Sequence, residues 1–294
     1  MNKNMTDSIP FIVVHKGNQD YLHICLKSIE KFHPVYLLGN EDNKHTVKNW
    51  VDLKSLHSSY ADDFENAYVH MSTNSSEFEK ICFLRYIAMY EFARENNIKE
   101  FIHCDSDMVI LKDISPLFSI LRSHKSACFI PQDQSKFRLT ASPHFCYWKI
   151  EALEEFIKFF IHQYQIKSSV LLDKYNYHVA NNIAGGICDM TLLYLYAISN
   201  HDVFNLLDVE RFYLNFNVST KEHNTKDRGN IYFKHGFKMY NSELMYRSKD
   251  GLKPVMFLHI QGKAKKFMKF AGSKHFRTFF FMISVLNILR LIKR

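Results

Sequence analysis

Short apolar runs alternate with helical patterns through the first third of the chain. Phe11-Ile12-Val13-Val14 is a β-branched run that ends in the turn residues His15-Lys16-Gly17-Asn18. Asp20 is placed to cap a helix reaching Lys31, with Leu22, Leu26 and Ile29 on one face, and Pro34 stops it. Val35-Tyr36-Leu37-Leu38 reads as a second strand, closed by Gly39-Asn40-Glu41-Asp42-Asn43. A helix follows over about 78–96, offering Phe83, Ile87, Tyr90 and Phe92 to a core, and then an apolar strand opens at Phe101. This β-α-β-α-β order predicts an α/β fold with a mostly parallel sheet and helices on both faces. Ligands bind such sheets beyond the carboxyl ends of the strands, where His15, Asn40 to Asn43 and Asp105 to Asp107 all fall.

The later pattern is less regular. Ala127-Cys128-Phe129-Ile130 and Phe145-Cys146-Tyr147-Trp148 read as strands, and 150–161 as an amphipathic helix. The stretch 165–182 fits no one element. Ala184-Gly185-Gly186 is a turn from which Asp189 opens a helix to about Ile198. Ile231-Tyr232-Phe233 and Val255-Met256-Phe257-Leu258 read as further short strands.

Within this frame one step is chemically expensive. Phe101-Ile102-His103-Cys104 runs into Asp105-Ser106-Asp107 and leaves as Met108-Val109-Ile110-Leu111. Aspartate is disfavoured in strands, and two carboxylates at the mouth of a buried sheet are costly unless paired. A hard divalent cation such as Mg²⁺ or Mn²⁺ takes oxygen ligands and often bridges to a substrate phosphate. A polar turn between two strands is the other reading of the same residues.

Composition narrows the classes. The 294 residues include 47% hydrophobic and 15% aromatic side chains, enough for a large core, and only 9 Gly and 6 Pro, too few for low complexity. The net charge of +8 sits at one end: 251–294 holds ten Lys and Arg and no Asp or Glu. A basic tail attracts nucleic acid or anionic lipid. The six cysteines form no CxxC pair and sit mostly in apolar runs, which suits reduced, buried thiols in a cytosolic protein. Residues 1–10 are polar and do not read as a signal peptide, and no stretch reaches the ~18 to 20 apolar residues of a spanning helix.

A second polar cluster ends another strand: Phe257-Leu258-His259-Ile260-Gln261-Gly262-Lys263-Ala264-Lys265. His259 offers an imidazole nitrogen to a metal, Gly262 lets backbone approach a phosphate, and Lys265 is a point charge suited to a diphosphate. Asp105-x-Asp107 followed by His259-x-x-Gly262-x-x-Lys265 resembles the GT-A glycosyltransferases. The spacing is most similar to the retaining galactosyl- and glucosyltransferases of the family 8 type. The resemblance covers roughly residues 10–268. It implies a GT-A fold (Rossmann-like) over 1–270, with 271–294 as a basic, aromatic C-terminal segment.

The resemblance further implies that Asp105, Asp107 and His259 hold Mn²⁺ or Mg²⁺, and that the metal and Lys265 hold the diphosphate of a nucleotide sugar, UDP-linked first among them. Arg85 stands where the family has a donor-facing arginine, His15 lies in the loop that reads base and ribose, and Ser106 and Gly262 complete the donor set. Asp189 takes the place of the family's acidic residue near the acceptor and the reacting carbon, as nucleophile or base; an ordinary helix cap is the plainer reading. Two departures stand out. The family's proline and tryptophan after the lysine are replaced by Lys266-Phe267, and Ser142-Pro143-His144-Phe145 occupies the place of its Asn-x-Gly stretch.

The implied activity is transfer of a hexose or N-acetylhexosamine to a saccharide or lipid-linked acceptor, as in lipopolysaccharide, lipooligosaccharide or capsule assembly. Phe279-Phe280-Phe281-Met282-Ile283 and the terminal Leu289-Arg290-Leu291-Ile292-Lys293-Arg294 suit the surface of an anionic bilayer, which points to a cytoplasmic protein peripheral on the inner membrane face. Packing of this tail on the domain is the alternative. No nucleic-acid recognition motif accompanies the charge. Three other functions remain in view: an inverting GT-A enzyme of another family with Asp189 as base, a haloacid-dehalogenase-type phosphohydrolase with Asp105 as nucleophile, and a non-catalytic membrane-surface module.

Overall fold

The computed structural model describes residues 8–56, 58–212, 214, 217–218, 237–241, 243–248, 251–271, 278–279 and 281–282. The strands are β1 (Phe11–Val14), β2 (Val35–Gly39), β3 (Trp50–Asp52), β4 (Glu100–Cys104), β5 (Met108–Ile110), β6 (Ser126–Phe129), β7 (Ser142–Lys149), β8 (Val203–Asn205), β9 (Asn217–Val218), β10 (Phe237–Tyr240), β11 (Glu243–Ser248), β12 (Gly251–Pro254) and β13 (Phe257–Ile260). The helices are α1 (Asp20–Glu30), α2 (Ser59–Ala67), α3 (Ser76–Glu95), α4 (Phe118–Arg122), α5 (Ile150–Gln165), α6 (Ser169–Ala180) and α7 (Asp189–Ser199).

The central sheet has seven strands in the order β3-β2-β1-β4-β7-β6-β8. Only β7 runs against the rest, since it pairs antiparallel with both β4 and β6 while all other neighbours are parallel. This is the mostly parallel α/β sheet that the sequence predicts and that a GT-A fold requires. Two smaller sheets accompany it: β10-β11-β12, and β5-β13-β9.

The period of two along each strand divides the core. Phe11, Val13, Ile102, Cys104, Phe145 and Tyr147 face a lower core shared with α1, β5 and β13. Ile12, Phe101, Cys146 and Trp148 face an upper core shared with α2, α3, α5 and α7. Aromatic rings dominate the upper core: Phe64 meets Phe83 at 5.0 Å and Phe160 at 5.4 Å, and Phe83 meets Phe160 at 5.2 Å. Each buried ring contributes on the order of 2–3 kcal/mol. The predicted core residues of α3 (Phe83, Ile87, Tyr90 and Phe92) are all buried.

Several expectations change in detail. Asp20 does not cap α1; Gln19 holds that place and Asp20 is the first helical residue. Cys188 likewise precedes α7, leaving Asp189 inside its first turn, where a negative charge suits the positive end of the helix dipole. The ambiguous stretch 165–182 is α6, which carries exposed Val170, Leu172 and Val179; that scatter blurs its helical period. Short strands β3 and β8 and helix α2 escape a pattern reading because each is short or half-buried.

All six cysteines are free. The strand expected at Ile231-Tyr232-Phe233 and most of 271–294 lie outside the described residues. Within that tail Phe279 is buried in the lower core and Phe281 is exposed. Among the described residues no helix is long and apolar enough to cross a membrane.

Candidate active site

The carboxyl ends of β1 and β4, the face of α3, the start of α7 and the end of β13 enclose a cleft of about 690 Å³. Pockets of this size hold small-molecule ligands (~300–1,000 Å³). Of the nine candidate residues, His15, Arg85, Asp105, Ser106, Asp107, Asp189, His259 and Lys265 line it. Gly262 is not on its wall. Gly262 opens the turn after β13 at φ +55°, with no atom within 4 Å of where a Cβ would stand, so glycine serves that backbone conformation there.

The acidic step is a tight turn. Met108 N–H donates to the Asp105 carbonyl at 3.2 Å, and Asp105 N–H donates to the His144 carbonyl at 3.0 Å. β5 then pairs antiparallel with β13, setting Met108 against His259. Ile260 N–H donates to the Asp107 carbonyl at 2.9 Å. The two polar clusters, about 150 residues apart in sequence, therefore meet through a two-strand ladder.

Asp107 Oδ2 lies 2.8 Å from Lys265 Nζ, and Asp107 Oδ1 lies 3.1 Å from His259 Nε2. Asp107 Oδ1 is buried without a hydrogen-bond partner. Ligand atoms of Asp105, Asp107 and His259 all lie within 4.8 Å of one another. Two ligands at right angles on an ion with ~2.1 Å bonds stand ~3 Å apart, so the His259–Asp107 spacing suits a small octahedral cation. An unsatisfied buried carboxylate oxygen is the group such an ion would complete. Gln261 Nε2 stands 3.4 Å from His259 Nδ1. With the amide turned so that its oxygen accepts from His259 Nδ1–H, the His259 Nε2 lone pair would be left for a metal.

The opposite wall is an ion-pair chain centred on Arg85. Arg85 Nη1 donates to Asp105 Oδ1 at 2.8 Å and Nη2 to Asp189 Oδ2 at 2.5 Å. Tyr86 OH donates to the same Asp189 oxygen at 3.3 Å, and Met190 N–H donates to Asp189 Oδ1 at 2.9 Å. His103 Nδ1–H donates to the Ile12 carbonyl, which turns Nε2 toward Asp105 Oδ1 at 3.7 Å.

Burial opposes ionisation of both acidic groups, yet their partners prevail. Arg85 and then His103 hold the Asp105 carboxyl well below the usual carboxylate range. His259 and Lys265 hold Asp107 low despite Asp105 nearby. Burial pulls the Lys265 ammonium down, but Asp107 keeps it above its ordinary value. Burial lowers His15, and burial with His259 alongside keeps His144 well below an ordinary imidazole.

The loop after β1 is held by residues the sequence marked only as a turn. Asn43 Nδ2 donates to the carbonyls of His15 and Gly17 at 2.9 Å each, and Asn40 Oδ1 accepts from Gly17 N–H at 2.8 Å. Asn43 Oδ1 accepts from Trp50 Nε1 and crowds Gly39, whose Cβ would stand 1.9 Å from that oxygen. The loop thereby sets His15 Nδ1 2.9 Å from Ser106 Oγ.

Glu79 and Lys174 are two of the buried polar residues that the sequence did not mark. Glu79 faces the cleft from α3 and accepts from Ser72 Oγ and Asn74 Nδ2 at 2.7 Å each. Lys174 is buried behind α7, donating to the Arg138 carbonyl at 2.9 Å and to Thr191 Oγ1 at 2.6 Å, with its pKa lowered by burial to about 8. A lysine within the unresolved period of 165–182 carries no sequence signal of burial.

No protein-family model matches the chain, and no curated protein matches it in sequence. Similar solved structures exist at low identity. Mouse xyloside xylosyltransferase 1 in its apo form shares 13% identity at a TM-score of 0.49, over 68% of this chain and 85% of that one. Galactosyltransferase LgtC, in complex with donor and acceptor sugar analogues, shares 13% at 0.45, over 94% and 96%. Glycosyltransferase GlyE of Streptococcus pneumoniae TIGR4 shares 15% at 0.34, over 68% and 45%. Each of these proteins is named as a glycosyltransferase.

Proposed function

We propose that the protein is a metal-dependent glycosyltransferase that moves a hexose or N-acetylhexosamine from a nucleoside-diphosphate sugar, UDP-linked first among them, to a saccharide hydroxyl. The observation that carries this reading is Asp107 Oδ1, a buried carboxylate oxygen without a hydrogen-bond partner, set 3.1 Å from an imidazole nitrogen in a large cleft. Asp105, Asp107 and His259 would hold Mn²⁺ or Mg²⁺. When bound, that ion supplies Lewis-acid stabilisation to the departing diphosphate.

The chain's own groups do the rest. Lys265 places an ammonium beside Asp107, where it meets the same negative charge as the glycosidic bond breaks. His15 and Ser106, joined by a hydrogen bond, form the wall that meets the ribose side of the donor. Arg85 bridges Asp105 and Asp189 with its guanidinium, on the cleft wall that would face the donor. Asp189 is the candidate catalytic carboxylate, and a role as base or nucleophile requires the Arg85 pairing to open.

Mn²⁺ with UDP should raise the melting temperature of the wild-type protein, and donor hydrolysis should depend on Mn²⁺. Asp105→Ala and Asp107→Ala should each lose that hydrolysis by ~100-fold or more; retained Mn²⁺-dependent turnover sinks the reading. A lipid-linked acceptor at an anionic surface rests on the charge of 251–294. Co-sedimentation with anionic but not neutral vesicles tests it, and equal recovery with both removes it.

A further inference from the structure

Among the buried histidines that the mechanism leaves unused, one stacks on a candidate metal ligand. His144, near the start of β7, is 2% exposed. Its ring lies flat against His259, with centroids 4.4 Å apart and planes 7° apart. Phe129 covers its other face at 4.6 Å and 6°. The three rings form a column, and His259, at its cleft end, turns its Nε2 edge toward Asp107.

Polar contacts do not account for the side chain. Nδ1 meets Ser142 Oγ at 2.6 Å, while Nε2 is buried with no hydrogen-bond partner. His144 also does not line the cleft. What its ring does here is face contact. A lone imidazole on a strand end rotates about its side-chain torsions, and metal ligands bind well only when held in the productive orientation. A flat ring on each side of His144 removes that freedom from His259 without adding charge beside a cation. The His144 carbonyl adds a second tie, accepting from Asp105 N–H, and this one survives any side-chain change.

We propose that His144 is a positioning residue for the metal centre, holding His259 in its ligating orientation by ring stacking, with Phe129 as the backstop. The inference rests on the metal-site reading and adds to it a residue that touches neither the ion nor the substrate.

The test is Mn²⁺ affinity of the full-length protein by electron paramagnetic resonance titration, without substrate. His144→Ala should weaken binding by roughly 10- to 100-fold, the range for loss of an outer-sphere support. His144→Phe, which keeps the flat ring, should stay within about threefold of wild type, the bound set by the same support argument. Wild-type affinity in His144→Ala, or equal loss in both variants, overturns the proposal. Should His144→Ala not fold, Phe129→Leu loosens the column from its far face and should weaken Mn²⁺ by a few-fold; unchanged affinity there overturns it as well. If the wild-type protein itself binds no Mn²⁺, the metal site falls, an outcome distinct from failure of the stacking argument.

Discussion

On the α3 side of the cleft, Arg85 is clamped between Asp105 and Asp189, and Tyr86 and Met190 N–H take up the remaining capacity of Asp189. On the β13 side, Asp107 meets Lys265 through one oxygen and leaves the other without a hydrogen-bond partner beside His259. Both walls bury carboxylates at the same end of one sheet. The first ties its carboxylates to one guanidinium, and the atoms it leaves over are nitrogens, Arg85 Nε and His103 Nε2. The second has a vacancy in its hydrogen bonding, and a buried vacancy of that kind is where a ligand returns the desolvation cost. The wall whose orphan is a carboxylate oxygen beside an imidazole is therefore the better guide to cation binding.

The sharpest way to break this contrast is Arg85→Leu. It leaves buried Asp189 and half-buried Asp105 without their shared cation and should cost about 3–5 kcal/mol of stability, read by denaturant unfolding. The Asp107 change described above removes pairings to Lys265, whose side chain is 32% exposed, and to His259, and should cost less metal-free stability than Arg85→Leu. Equal destabilisation on both walls would erase the distinction drawn between them.

A smaller effect sharpens it from behind. Lys174 braces α7, two residues past Asp189, through Thr191, and its folded pKa of about 8 lies below the unfolded value of 10.5. Between those values the unfolded chain binds more protons, so this lysine makes stability rise with pH. The stability of wild type relative to Lys174→Met should climb between pH 8 and about 10, by at most roughly 1.4 kcal/mol per pH unit. A flat difference across that window would mean that Lys174 is not held as described.

Much of this arrangement is legible in the residues. Although β3 and α2 escape the pattern, β1, α1, β2, α3 and β4, the acid step after β4 and the late histidine-lysine cluster after β13 stand where it places them. Their physical signals are strong: apolar periodicity, and charged groups abruptly ending an apolar run. The signals fade where burial is not written locally. Lys174 and Glu79 look like surface charges on helices, His144 looks like a strand end, and Asn43 looks like any turn residue. Asp20 and Asp189 read as helix caps, yet each sits one residue inside its helix, since helix starts are set by hydrogen bonds that one residue type does not specify.

By itself, then, the amino-acid order determined that this chain folds as a mostly parallel α/β sheet and that two polar clusters lie at strand ends. Those properties depend on spacing within a dozen residues. Tertiary structure alone decided that β5 pairs with β13, bringing His259 and Lys265 onto Asp107, and that Arg85 spans two carboxylates 84 positions apart along the chain. Contacts between distant segments follow from strand register and packing of the whole core, which no local window contains.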